Sequence, residues 1–198
     1  MNINTALPHK QTLSSLSSAG AKLHNYQDLM VLFNATFIKT ENTVLVKGDH
    51  EPIYIPARRS QQHHQIVFAH GYFASALHEI AHWCIAGKQR RLLEDYGYWY
   101  QPDGRDSSQQ VEFEKVEVKP QAIEWAFSCA SGKPFSVSTD NVKGGAVDTQ
   151  GFQEAVKRQI MLYLEHGFPS RAAEFIGVLH RFYQTDNLHR EMFDVESA

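Results

Sequence analysis

ALHEIAHWCIAGKQRR, residues 76–91, contains the pattern H-E-x-x-H, formed by His78, Glu79 and His82. Residues four apart lie on one face of a helix, so both histidines can reach one metal ion. Glu79 is the only acidic or basic residue between 72 and 86 apart from the histidines, which predicts a helix buried almost all round. Buried histidines and a buried carboxylate need partners. We therefore expect a metal-binding helix at the centre of the fold.

Short β-type stretches precede this helix, and helical patterns dominate after it. The β-type stretches are NTVLVKG, PIYIPA and HQIVFAH, residues 42–48, 52–57 and 64–70. The prolines in the second stretch favour a sheet edge. Helical spacing occurs at residues 26–37, 107–132, 152–165 and 170–183. Strands first and helices later, without βαβ alternation, predict an α+β fold with a small mixed sheet and helices packed on it.

Three segments carry proline, turn or compositional signals that modify this simple pattern of strands and helices. Pro120 must kink the helix predicted at 107–132 or begin a second segment, and the alternation in VEFEKVEV, residues 111–118, also permits a strand. The stretch YGYWYQPDGRD, residues 96–106, predicts an aromatic strand that runs into a turn. Residues 1–22 are rich in Ser, Thr and Ala, which predicts a weakly ordered tail before a single domain at 23–198.

The composition predicts a soluble cytoplasmic protein that does not bind nucleic acid directly. Its 198 residues carry a net charge of −3, which gives no strong basic field for a phosphate backbone. No apolar run reaches the roughly 20 residues of a membrane span, and the N-terminus lacks the plan of a signal peptide. Cys84 and Cys129 lie in apolar runs and predict buried free thiols in a reducing compartment.

A metal ion held by two histidines needs at least one further ligand. The acidic run VEFEKVEVKPQAIEW, residues 111–125, offers several glutamates. Glu117, with Gln121 one helical turn later, fits the pattern in which glutamate-type zincins draw a third ligand from a later helix. Glu114 lies on a similar helix face and is the main rival, and His70 is another.

Two different chemistries use two histidines and one carboxylate. A zinc hydrolase, either a peptidase or a ribonuclease, would use Glu79 as the general base on a metal-bound water. A non-haem Fe(II) oxygenase would use the same ligands as a facial triad, and Glu79 would then support the site without acting as a base. The residues alone favour the hydrolase and leave the oxygenase open.

Four segments resemble the elongation factor P hydroxylase family. They are KGDHEPIYIPA, IVFAHGYFASALHEIAHWCIAGKQRR, DYGYWYQPDGRD and FEKVEVKPQAIEW, in this order along the chain. The resemblance extends from about residue 24 to about residue 183 and omits the N-terminal tail. It implies a fold similar to a small metal-dependent ribonuclease, with a zincin-like arrangement around the metal.

The resemblance also implies an activity and a site. The family hydroxylates the lysine of translation elongation factor P that carries a β-lysyl group. Its metal motif corresponds to His78, His82 and Glu117 in this sequence. Glu79, next to His78 in the chain, is a further candidate for the catalytic site. Hydroxylation of a C–H bond implies a redox metal, for which we expect Fe(II), with dioxygen as cosubstrate. No segment indicates a 2-oxoglutarate site, so that cosubstrate is not assigned.

The implied substrate suggests where further contacts lie. Tyr98 and Trp99 are candidates for the walls of a dry pocket. The β-lysyl-lysine arm carries ammonium groups, and Asp103, Asp106 and Glu124 are the carboxylates that we expect to bind them.

Overall fold

A computed structural model of the chain describes residues 23–95, 105–139 and 149–194. The described part contains five α-helices: α1 (Tyr26–Phe37), α2 (Phe73–Ile85), α3 (Ser107–Ser131), α4 (Thr149–His166) and α5 (Ser170–Tyr183). It also contains three strands, β1 (Thr43–Lys47), β2 (Ile53–Ile55) and β3 (His64–Phe68), and two short 3₁₀ turns, Arg90–Leu92 and Arg190–Phe193. The predicted α+β class is confirmed. The predicted tail at 1–22 lies outside the described residues.

The sheet is small and mixed, as predicted. Its order is β1-β3-β2, with β1 parallel and β2 antiparallel to β3. The stretch with flanking prolines, β2, therefore lies at an edge. One isolated bridge extends that edge, since the backbone N–H groups of Tyr54 and Asp95 donate to each other's carbonyls at 2.8 and 3.0 Å. This bridge brings the segment after α2 back to the sheet.

Helix α2 occupies the centre of the fold and contacts β3 and α3, as well as α1 and α5. Four of its residues are completely buried: Ala76, Leu77, Ile80 and Ala81. Such burial matches the near absence of charge along this segment and fixes the orientation of the helix about its own axis. The helix ends at Ile85, and Ala86 in extended conformation leads out towards Gly87.

Helix α3 runs through Pro120, so the predicted long helix at 107–132 is confirmed and the alternative of a second segment beginning at Pro120 is excluded. The alternative of a strand at 111–118 is also wrong. The helix begins at a capping box, in which the Asp106 carboxylate accepts from the Gln109 backbone N–H and the Gln109 side chain bonds back to the Asp106 N–H. It ends at Gly132, whose left-handed φ of 70° suits the C-terminal cap. Strong caps and the buried face of α3 outweigh the missing N–H of Pro120.

Helices α4 and α5 pack against α3 and complete one continuous core. Their observed bounds extend the predicted 152–165 by a few residues and match the predicted 170–183. Both cysteines are free thiols, with Cys84 buried and Cys129 partly exposed. No helix in the described ranges combines the length and hydropathy that a membrane span requires. The likeness to a small ribonuclease or zincin stays a prediction.

Candidate metal centre

The two histidines of the H-E-x-x-H pattern face each other on α2. Their ring centroids are 4.6 Å apart, and the distance between the two Nε2 atoms is 3.0 Å. Both side chains are about one-fifth exposed, 21% for His78 and 19% for His82. The spacing of four residues on a buried helix therefore produces what it predicted, two imidazoles that point to one place at the border of the core.

Helix α3 supplies a carboxylate to the same place. One oxygen of Glu117, Oε1, lies 3.3 Å from Nε2 of His82, and the other, Oε2, lies 3.6 Å from Nε2 of His78. One ligand atom from each of the three residues lies within 4.8 Å of the others, which is the arrangement of a group that could hold a metal ion. The Glu117 side chain is 5% exposed, so its charge is almost entirely removed from water.

A second glutamate of α3 binds the far side of the His78 ring. Nδ1 of His78 lies 2.8 Å from Oε2 of Glu124. An ionised carboxylate only accepts hydrogen bonds, so Nδ1 carries the hydrogen and Nε2 is the nitrogen directed at Glu117. Glu124 follows Glu117 by seven residues, which is close to two helical turns, so one face of α3 presents both carboxylates to α2.

The electrostatics of the group favour a cation. Burial alone would lower the pKa of His78, but the hydrogen bond and charge of Glu124, with the charges of Glu117 and Glu79, outweigh it and raise this pKa to about 10. Burial also disfavours the ionised form of Glu117, yet His82, His78 and Arg105 together keep its pKa below the usual value. A proton on His78 thus takes the place that a metal cation would take between the carboxylates.

The donor set fits a divalent metal of the iron or zinc type. Oε2 of Glu117 is buried and has no hydrogen-bond partner among the described residues. A buried carboxylate oxygen without a hydrogen-bond partner destabilises the folded state unless a cation or another group binds it. Two imidazoles and one carboxylate suit Fe(II) and Zn(II), and a hydrogen bond from the far nitrogen of a ligating histidine to a carboxylate is usual at such sites.

Two comparisons with known proteins decide the family. Residues 32–193 match the sequence model described as EpmC: Elongation factor P hydroxylase. A protein of Haemophilus influenzae named "Elongation factor P lysine hydroxylase" is 50% identical over 173 residues, which are 87% of this chain and 97% of that protein. This chain belongs to the elongation factor P hydroxylase family. The resemblance inferred from the four sequence segments is confirmed, and so is the prediction of an enzyme of the oxidoreductase class.

Within this family member, the structure brings His78, His82 and Glu117 together and leaves the rival ligands outside the group. Glu114 accepts a hydrogen bond from Gln110 at 3.1 Å instead. His70 is exposed, and its backbone has a left-handed φ of 52° in the turn before α2. Gln121, predicted as the polar partner of Glu117, donates to the carbonyl of Ser138 at 2.6 Å and so holds the segment after α3.

The predicted substrate contacts of the hydroxylase have other roles or lie outside the described residues. Asp106 is exposed and caps α3, so its carboxylate is already engaged there. Glu124 binds His78, as described above. Tyr98, Trp99 and Asp103 lie outside the described residues.

Arg105 is a residue near the site whose burial the sequence does not indicate. It is only 3% exposed, and its guanidinium lies over the Phe113 ring, 3.8 Å from the ring centroid. Its Nε donates to Gln110 at 3.0 Å, and its Nη2 donates to the carbonyl of Thr139 at 2.8 Å. A charged residue in a PDG-type turn predicts exposure. Only the folded chain shows that this positive charge is buried and helps to keep Glu117 ionised.

Proposed function

We propose that this protein is a metal-dependent oxygenase that hydroxylates the β-lysyl-modified lysine of translation elongation factor P, with Fe(II) as the metal. The observation that carries the proposal is the group of two histidines and one carboxylate, His78, His82 and Glu117, in a member of a hydroxylase family. The name of the Haemophilus influenzae relative supports elongation factor P as the substrate. A cytoplasmic location is part of the same proposal.

The donor set explains why such a site suits oxygen chemistry. His78, His82 and Glu117 would hold Fe(II), and Fe(II) held in this way would supply the redox chemistry that hydroxylation of a C–H bond requires. The net reaction inserts one oxygen atom into the C–H bond, reduces the other to water, and consumes two electrons and two protons from an external reductant.

The residues of the chain then have distinct tasks. His78, His82 and Glu117 would hold the metal, and Glu124 keeps Nε2 of His78 directed at it. The burial of α2 and of Glu117 limits access of water from the side of the core. Restricted water access matters because a strongly oxidising centre also attacks its own surroundings.

A zinc hydrolase remains the second candidate because Glu79 lines the same cavity as His82. Burial raises the pKa of Glu79, which is the direction that a general base working near neutral pH requires. The two functions differ in their need for dioxygen and in the mass of the product.

The proposal is tested with purified β-lysylated elongation factor P. Protein loaded anaerobically with Fe(II) is mixed with the substrate and a chemical reductant, and dioxygen is then admitted. We expect the modified peptide to gain 16 Da, the mass of one oxygen, and we expect this gain to require dioxygen. The His82→Ala and Glu117→Ala proteins should form no such product, since each has lost a metal ligand.

Matched variants separate the loss of the site from a general effect of the substitution. His166 and Glu112 are exposed residues outside the metal group, so His166→Ala and Glu112→Ala should retain full hydroxylation. A normal yield of hydroxylated peptide from His82→Ala would refute the proposal. Turnover with zinc in the absence of dioxygen would support the hydrolase instead.

A further inference from the structure

A small cavity opens beside the metal group, on the neighbouring face of α2. Its volume is about 50 Å³, room for about four water-sized groups. Glu79, Trp83 and Ala86 line it from α2, and His82 borders it as well. Residues at i, i+4 and i+7 share a helix face, so this face lies directly beside the one that carries the two histidines.

Most charged groups that line the cavity already have partners. Arg90 pairs with Asp95, with Nη2 to Oδ2 at 2.5 Å and Nε to Oδ2 at 2.7 Å. Arg91 pairs with Glu41 at 2.6 Å. Glu79, by contrast, makes no hydrogen bond or ion pair with any residue that the structure describes. The cavity therefore contains one carboxylate that no described residue binds.

The remaining lining residues are apolar or aromatic. Ile66 and Ala86 contribute aliphatic surface, and Tyr54 and Trp83 contribute rings. The hydroxyl of Tyr54 donates its hydrogen to the carbonyl of Arg91 at 3.0 Å, so this hydrogen is not available to a ligand in the cavity. Narrow apolar walls, together with the Glu79 carboxylate that no described residue binds, match an aliphatic chain that ends in an ammonium group.

We propose that this cavity is the subsite for an alkylammonium group of the substrate and that Glu79 is the residue that binds it. The inference rests on the proposed function, because a lysine-derived arm is the substrate that such a subsite would serve. It assigns ammonium recognition to Glu79 in place of Asp106, which caps α3, and Glu124, which binds His78. A hydroxylase needs no general base at this position. Binding of the substrate therefore gives Glu79 a role in hydroxylation.

The first experiment tests the subsite without catalysis. Zinc-loaded, ¹⁵N-labelled protein is titrated with n-pentylamine and, separately, with 1-pentanol, which has the same chain length and no charge. The indole N–H of Trp83 is buried and has no hydrogen-bond partner among the described residues, so its signal is a local reporter. The Trp83→Phe protein identifies that signal among those of the three tryptophans.

We expect n-pentylamine to shift the Trp83 signal and to bind Glu79→Gln protein about 10- to 100-fold more weakly, as for a lost charge-assisted hydrogen bond. Glu79→Asp should recover part of the affinity, because it retains the charge on a shorter side chain. Binding of 1-pentanol should be equally weak in all three proteins. Equal affinity of wild type and Glu79→Gln for n-pentylamine would overturn the inference.

The second experiment measures KM and kcat for β-lysylated elongation factor P. We expect Glu79→Gln to raise KM about 10-fold or more, to change kcat less than about 3-fold, and to retain its metal. A fall in kcat at unchanged KM, or loss of metal, would show a role in chemistry or in metal binding and would overturn the inference. If the wild type forms no hydroxylated product, the proposed function fails, and the amine titration still decides the role of Glu79.

Discussion

The carboxylate of Glu124 accepts a hydrogen bond from Nδ1 of His78, and this contact decides which nitrogen of the ring faces Glu117. Without it, the imidazole is free to adopt the other tautomer or to rotate. The acidic run does not reveal this role, because each glutamate in it could equally face solvent or substrate. The spacing of seven residues between Glu117 and Glu124 is the signal that could have indicated a shared helix face.

We predict that Glu124→Ala weakens metal binding about 10- to 100-fold, the usual cost of removing a carboxylate that orients a ligating histidine. Glu124→Gln should weaken it less, because the amide oxygen still accepts from Nδ1. Competition with a chromophoric chelator, at fixed pH, measures the metal affinity of each protein.

The control for this prediction is Glu112→Ala, a change at an exposed glutamate of the same helix that pairs with Lys115. Its metal affinity should equal that of the wild type. An unchanged affinity in Glu124→Ala protein would show that His78 needs no orienting partner.

Helix α2 is fixed at its C-terminal end by a side chain from α5. Nη2 of Arg171 donates to the carbonyls of Trp83, Cys84 and Ala86 at 2.8, 3.0 and 2.7 Å. The last carbonyls of a helix have no partner within it, and a cation near them also offsets the negative end of the helix dipole. The guanidinium lies 4.6 Å from the centroid of the Trp83 ring, so Arg171 both caps the helix and packs against it.

We predict that Arg171→Met lowers the free energy of unfolding by about 3 kcal/mol, because buried carbonyls lose a charged donor while the apolar stem is retained. For a chain of this length the melting temperature should fall by roughly 6–12 °C. Thermal unfolding followed by circular dichroism gives the value.

Arg158 is exposed on α4, and Arg158→Met is the matched control, with an expected change below about 0.5 kcal/mol. Equal melting temperatures for Arg171→Met and the control would mean that the three carbonyls are satisfied in another way.

The secondary structure was largely predictable, and its exceptions have identifiable causes. Hydrophobic spacing placed α1, α2 and α5 within a residue or two of their observed bounds. The predicted bounds of α3 are also close to the observed ones, and only the alternative of a second segment at Pro120 fails. Packing of this 25-residue helix on three neighbouring helices outweighs the one hydrogen bond that a proline cannot donate. The alternation in VEFEKVEV belongs to a helix that carries charged residues on several sides. Over a window this short, such a sequence mimics the period of two that is typical of a strand.

At the scale of the whole molecule, the group of side chains that could hold a metal joins two helices of the core, α2 and α3. His78 and His82 come from α2, and Glu117 comes from α3, across a contact between distant parts of the chain. The spacing of the histidines predicted that two side chains would point together. It could not predict which glutamate of the acidic run would meet them, because helix pairing is a tertiary property. The pattern of Glu117 with Gln121 favoured Glu117 over Glu114, and the resemblance to the family implied the same residue.

We predict that metal binding stabilises the fold, because a metal ion that binds the native group and not the unfolded chain shifts the folding equilibrium. At a free metal concentration about 100 times Kd, the gain is about 2.7 kcal/mol. The melting temperature should then rise by roughly 5–10 °C over protein treated with EDTA. Differential scanning calorimetry measures both states.

The His82→Ala protein provides the control for this effect, since its melting temperature should be the same with and without metal. A metal-dependent rise of equal size in that variant would place the stabilising metal elsewhere on the chain.

The length of the interval from Glu117 to Glu124 is itself constrained by the site. The His78 ring is held with one nitrogen towards each of these carboxylates, so their spacing along α3 must place one carboxylate on each side of the ring. Each residue added to a helix turns everything beyond it by about 100°. A single insertion or deletion between the two glutamates would remove one of them from the ring, even if every side chain in the site were retained. Natural variation in this interval should therefore consist of substitutions at constant length.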